Sequence, residues 1–283
     1  MEYDSITQKS ILLKMLSAFN GYCEANGLKF TLCFGTLLGA VRHKGFIPWD
    51  DDVDIVMPRP DYDRFLKMAS DSFMPGYKVI HPQNTPHYYL PFAKVIDCNT
   101  SLIEYKIARL CPIGVYLDIF PIDSVPDDRA ESEKLFKRYS SLKRKAMETA
   151  LRYDYLNKMN ARRLIKLIRH HFFGLFYSSS QWFDKCEKVA ASTAYGSTGH
   201  LRIYSCPHFG ELVFDRSVFE EFVDLEFEGL PFKGIKNYDS FLTACYQDYM
   251  QLPPEGQRGT DHRHYFIDLD RHLSIEEIHA MGY

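Results

Sequence analysis

Hydrophobic positions near the start of the chain fall at helical spacing: Ile11, Leu12, Met15, Leu16, Phe19, Tyr22 and Cys23 share one face. Ser5-Ile6-Thr7-Gln8 fits a capping box ahead of them, and Asn26-Gly27 supplies a stop. From Leu28 to Phe34 the period shortens to an alternation of β-branched and aromatic residues, which predicts a strand. Gly35-Thr36 then turns into a short helix-like run, Leu37 to His43. Asp52 to Met57 and Val115 to Phe120 read as further strands, Tyr88 to Asp97 as an extended segment, and Pro60 to Ala69 as a helix with proline in its first turn. Beyond Pro126 the pattern becomes long and helical, over Arg129 to Asn157 and Ala161 to Tyr177. From about Gln181 helix and short strands mix, and Pro253-Pro254 with Gly256 marks a turn-rich tail. The expected fold is α+β, or mixed α/β: a mixed sheet flanked by helices. Its expected parts are a catalytic core over 1–122, a basic helical insertion over 123–210 and a C-terminal portion over 211–283 that packs on the core.

Composition narrows the class. With 283 residues, 46% hydrophobic and 15% aromatic, the chain can bury a sizeable core and is far from the make-up of disordered proteins. No stretch approaches the roughly 20 apolar residues of a spanning helix. The opening MEYDSITQKS carries acid in place of a basic start and an apolar run, so no secretory signal is expected. Seven scattered cysteines without a C-x-x-C pair read as buried thiols in a reducing compartment, and a cytoplasmic protein is expected. A net charge of −3 gives no reason to expect nucleic acid.

The charge is unevenly spread, however. Between Lys134 and Arg169 twelve basic residues face only Glu148 and Asp154. Within Ala161 to Tyr177, Ile165, Ile168, Phe172 and Leu175 mark one face and Arg162, Arg163, Lys166 and Arg169 the other. Two readings stand side by side. Segment 134–177 makes peripheral contact with the inner face of a membrane or with a lipid-linked acceptor, or the helix packs its apolar face into the core and leaves the basic face solvated.

The strongest chemistry lies between Phe34 and Pro60. Residues two apart on a strand share a face, so Asp52 and Asp54 present carboxylates together while Val53 and Ile55 point into the core. Adjacent like charges need a cation, and hard oxygen ligands suit Mg²⁺ or Mn²⁺. Asp118 interrupts an otherwise apolar strand, where an unpaired charge is costly, and completes a metal-binding and catalytic trio. Gly35 and Thr36, ending a strand and opening a helix, offer backbone N–H groups to a phosphate. Arg42, His43 and Lys44 follow with further donors. A calcium loop starting at Asp50 is excluded, because Ile55 stands where glycine is needed and Asp61 at position 12. Asp52-Val53-Asp54 also satisfies the D-x-D motif of a nucleotide-sugar glycosyltransferase, but only about 50 residues precede it, too few for that class's nucleotide-binding half. His262 and His264 are a possible metal pair by spacing, with exposed tail histidines the favoured reading.

The string GTLLGAVRHKGFIPWDDDVDI, Gly35 to Ile55, resembles the signature of the LicD family, which also embraces the fukutin-type transferases. FAKVIDCNT (Phe92 to Thr100), IGVYLDIFPID (Ile113 to Asp123), FEGLPF (Phe227 to Phe232) and YQDYMQLPPEGQR (Tyr246 to Arg258) agree in order and spacing. The resemblance implies a nucleotidyltransferase-like fold, a divalent metal and transfer of a phospho-alcohol from a CDP-alcohol donor to a glycan or lipid-linked glycan. Phosphocholine from CDP-choline is the leading expectation, with ribitol or glycerol phosphate as alternatives. It further implies that Asp52, Asp54 and Asp118 are the metal carboxylates, that Asp118 can deprotonate the acceptor, that Gly35 and Thr36 form the phosphate turn, and that Arg42, His43 and Lys94 meet the donor. Tyr88, Tyr89, Phe92, Tyr105 and Tyr116 are available for an aromatic cage around a quaternary ammonium. Gln247 departs from the pattern where glycine is expected, and Asp261 to His264 where adjacent histidines are usual.

Overall fold

The computed structural model describes residues 5–69, 73–104, 111, 113–150, 161–259 and 264–283; between 161 and 171 only the side chains of 164, 165, 168 and 169 are described. Helix α1 (Ser5–Asn26) buries Leu12, Met15, Leu16, Phe19 and Cys23 completely, the stripe its periodicity requires. The expected capping box is absent from it. Gln8 is buried, and its Nε2 donates to the carbonyl of Asp51 at 2.8 Å, so this side chain ties the helix to the acidic loop.

The predicted strand from Leu28 to Phe34 shrinks to β1 (Thr31–Leu32), because Phe34, with φ 43°, already begins α2 (Phe34–Arg42). Next come β2 (Asp54–Pro58), α3 (Arg59–Ala69), β3 (Tyr77–Ile80), β4 (Ala93–Asp97), β5 (Ser101–Glu104) and the ten-residue β6 (Tyr116–Val125). The main sheet runs β1-β2-β6-β4-β3, with β2 and β6 parallel and the other neighbours antiparallel. Thus the sheet is mixed, as the sequence predicts, and Tyr88 to Asp97 contributes the interior strand β4 only from Ala93.

Helices α4 (Arg129–Ala150), α5 (Ala161–Gly174) and α6 (Ser179–Ala190) follow. The expected continuation of α4 to Asn157, with Arg152 and Lys158, lies outside the described residues. Strands β7 (His200–Arg202) and β8 (Phe214–Asp215) extend the sheet from the far end of β6, where Asp123 to Val125 pair with β7. The hairpin of β9 (Phe222–Phe227) and β10 (Leu230–Ile235), then α7 (Tyr238–Tyr246), β11 (His264–Asp268) paired to β5, and α8 (Ile275–Ala280) complete the order.

Phe34 packs its ring 5.4–5.7 Å from those of Phe120, Phe209 and Phe241, so the largest apolar cluster takes residues from all three expected segments. Arg59 binds Asp123 through two hydrogen bonds, of 2.6 and 2.9 Å, and Glu187 through a third of 2.6 Å, tying α3, β6 and α6. A buried guanidinium is tolerable there only because its donors meet carboxylates in fork geometry.

The hairpin tip also serves the site. Glu228 donates its N–H to the Lys44 carbonyl at 2.8 Å and accepts from the Phe46 N–H at 3.0 Å, pinning the loop between Arg42 and Trp49. Gly39 allows this loop to approach, since a Cβ there would lie 2.4 Å from the Gly45 carbonyl oxygen.

Gln247 caps α7 with φ 58° and ψ −113°, backbone that favours glycine. This is the position where the family resemblance leads one to expect glycine. Gln247→Gly is expected to stabilise the fold by about 1 kcal/mol, because relief of backbone strain outweighs glycine's entropy. Thermal unfolding that shows a lower midpoint for the variant contradicts this.

Candidate active site

One rung of the sheet carries the chemistry. Asp54 on β2 is in register with Asp118 on β6, and Asp118 is in register with Lys94 on β4, so three charged side chains project from one face of adjacent strands. Asp52, just before β2, joins them: carboxylate oxygens of Asp52, Asp54 and Asp118 all lie within 4.8 Å of one another. A second set, Asp50, Asp51 and Asp52, meets the same limit. The backbone of Asp54 is clamped, accepting from the Cys33 N–H at 3.0 Å and donating to the Thr36 hydroxyl at 2.8 Å.

Burial and mutual repulsion set the electrostatics. Desolvation, then Asp52, Asp118 and Asp50, push the Asp54 carboxyl well above the usual carboxylate range, against a smaller opposing effect of Lys94. Asp54 lines the cavity and is only half-buried, yet protein surrounds its carboxylate closely enough to strip most of its water. Asp118 rises to about 6 because burial outweighs the Lys94 ammonium, whose Nζ lies 2.5 Å from Oδ1. Lys94 is itself buried, 3.2 Å from the Tyr116 ring centroid and 4.0 Å from Glu104.

The acids form the floor of a cavity of about 830 Å³. Gly35 and Arg42 from α2 line one wall, and Cys206 to Phe209 and a loop from Tyr246 to Pro254 line the other. Gly35 is required by packing: a Cβ there would lie 2.6 Å from an Asp50 carboxylate oxygen. Arg42 donates to the carbonyl of Tyr249 at 2.6 Å, and Arg258 stands over the Trp49 ring at 5.5 Å.

Of the residues marked from sequence, Asp52, Asp54, Asp118, Gly35 and Arg42 meet in this cavity. Thr36, His43 and Lys94 do not line it. The Thr36 hydroxyl holds Asp54, the His43 ring lies edge-on to Trp49, and Lys94 is committed to Asp118 beneath the floor. In the expected cage only Phe92 faces the cavity. Tyr88, Tyr89 and Tyr116 are buried, the last two bonding Glu104, and Tyr105 lies outside the described residues. Outside that set, Phe34, Trp49, Phe120, Phe209, Tyr246 and Tyr249 add aromatic surface to the cavity.

His262 and Arg263 lie outside the described residues. His264 is no exposed tail residue, for it sits on β11 with Nε2 3.9 Å from Asp51. Sequence reasoning passed over Asp50 and His208 as cavity residues. The run Trp49 to Asp52 and the block starting at Tyr246 were the signals for this wall.

The fold is thus a mixed α/β one whose acids, at two parallel neighbouring strands, face a cavity beside a helix start. The family model that matches residues 27–139 is described as LicD/FKTN/FKRP, nucleotidyltransferase domain. The chain is also 30% identical over 276 residues, 90% of its length and 94% of the relative's, to the lipopolysaccharide cholinephosphotransferase LicD of Haemophilus influenzae. It belongs to the LicD family. Two uncharacterized proteins, of Rickettsia typhi and Rickettsia prowazekii, are each 43% identical over 56 and 54 residues, about a fifth of each chain.

Proposed function

We propose that this protein transfers phosphocholine from CDP-choline to a hydroxyl of a cell-surface glycan or its precursor, with a divalent ion, Mg²⁺ or Mn²⁺, held by Asp52, Asp54 and Asp118. The observation that carries this is the convergence of the three carboxylates within 4.8 Å at the cavity floor. The chain's similarity to a lipopolysaccharide cholinephosphotransferase supports the choice of group and acceptor. Oxygen donors whose crowding pushes Asp54 and Asp118 towards protonation are a donor set that a hard dication relieves.

When bound, the ion offsets this repulsion and the negative charge of the donor's phosphates. The remaining chemistry belongs to the chain. Asp118, anchored at Oδ1 by Lys94, takes the proton of the acceptor hydroxyl. The acceptor oxygen bonds to the choline-bearing phosphorus, the pyrophosphate P–O bond breaks, and CMP leaves. Arg42 holds the Tyr249 loop over the cavity, and the aromatic surface of Trp49, Tyr246 and Tyr249 gives a quaternary ammonium or a base a face to rest on.

A donor panel with acceptor glycan and Mg²⁺ or Mn²⁺, read by nucleotide release, tests this. CMP from CDP-choline, abolished by a chelator, is expected. Turnover of a UDP-sugar alone overturns the proposal, and preference for CDP-ribitol or CDP-glycerol overturns the choice of alcohol.

A further inference from the structure

Helix α5 does not bury its apolar stripe. Ile165, Ile168 and Phe172, and Leu175 and Phe176 just beyond its end, are each more than half exposed. The expectation of a core-packed apolar face therefore fails. Lys145 stands over the rings of Phe173 and Trp182, and Arg169 pairs with Glu148 at 2.7 Å, so α5 is fastened to α4 and α6 through these contacts and turns its hydrophobic side chains outward.

Beside this stripe, between α4 and α6, runs a groove of about 380 Å³. Its floor is apolar, with Leu135, Leu142, Trp182 and Val189, and its rim carries Arg138, Lys185 and Lys188. Lys185 Nζ lies 4.2 Å from the ring of Tyr177, which joins groove and stripe. No carboxylate among the described residues forms an ion pair with these three cations. Lys134, Lys137 and Arg144 add exposed positive charge along α4.

We infer that the α4–α5–α6 face docks on an anionic lipid surface, with the α5 stripe entering the hydrocarbon boundary and the rim of the groove holding headgroup phosphates. An apolar patch flanked by cations needs an occupant that offers hydrocarbon and negative charge at one level, which an anionic bilayer does. A second copy of the chain fits poorly, because an isologous contact sets the same cations against one another. The inference stands apart from the transfer reaction, since none of its residues lines the catalytic cavity.

Flotation of the full chain with vesicles of equal parts phosphatidylglycerol and phosphatidylcholine, against pure phosphatidylcholine, tests the surface. Binding to the anionic vesicles alone is expected, about tenfold weaker in ~0.5 M salt. Lys185→Gln with Lys188→Gln is expected to weaken binding about 30-fold, and Phe172→Glu to abolish it, both with unchanged thermal midpoints. Asp52→Asn, impaired in transfer, should float like the wild type, which separates failure here from failure of the proposed reaction. Absence of binding, equal binding to both vesicle types, or indifference to the substitutions overturns the inference. So does light scattering that shows a dimer split by Phe172→Glu.

Discussion

Asp54→Asn is expected to lower phospho-alcohol transfer by about a thousandfold while raising the thermal midpoint of the metal-free protein. The two effects share one cause. Asp54 is crowded by Asp52, Asp118 and Asp50 in a site stripped of water, so a neutral amide of nearly equal size removes repulsion from the folded state. The same amide cannot serve as an anionic ligand, and loss of charge stabilisation at a transferring phosphoryl group has an effect of this order. At this chain length each kcal/mol of relief raises the midpoint by about 2 °C. A variant that keeps wild-type turnover would sink the assignment of the acids. One that loses turnover but also loses stability would show that Asp54 is structural.

Lys94→Met is the second large effect, and pH reads it out. In the wild type the Asp118 pKa, about 6, lies above its ordinary value of 3.8, so between these values the metal-free folded state binds a proton more readily than the unfolded chain. That contribution to stability is fully present below about 4 and is lost as pH rises through 6. Removing Lys94 deletes the main influence that lowers the Asp118 pKa, so the window moves upward. At neutral pH a buried carboxylate is left without its partner, and a loss of about 3 kcal/mol is expected. Acidification should shrink this deficit. The acidic limb of the rate profile should shift to higher pH, because transfer needs Asp118 ionised. Lys94→Met combined with Asp118→Asn should recover most of the stability and none of the activity. An unshifted limb together with an unchanged midpoint would show that Lys94 does not govern Asp118.

Local pattern was enough for much of the fold. The stripe of α1 and the strands around Ile55 and Asp118 each follow from spacing within one segment, although β2 begins two residues later than predicted, at Asp54, and β6 runs five residues further, to Val125. Where prediction erred, the deciding partner was distant. Gln8 leaves its capping role for a carbonyl 43 residues away, and Phe34 exchanges a strand for a helix start at positive φ, its ring packed among Phe120, Phe209 and Phe241. The outward turn of the α5 stripe was equally hidden, since periodicity shows that a face is apolar but not what covers it.

The candidate site divides along the same line. The sequence by itself determined the kinds of groups present, two acids two apart at the start of a strand, a third within another strand and a glycine in the first turn of a helix, because those features are set by side-chain chemistry and local spacing. Tertiary structure alone decided their grouping. Parallel pairing of β2 with β6 placed Asp54 opposite Asp118, antiparallel pairing of β4 placed Lys94 beneath the floor to hold Asp118, and return of the chain after Cys206 and Tyr246 closed the far wall. Strand register depends on hydrogen bonds and packing between segments far apart in the chain, which no local spacing encodes.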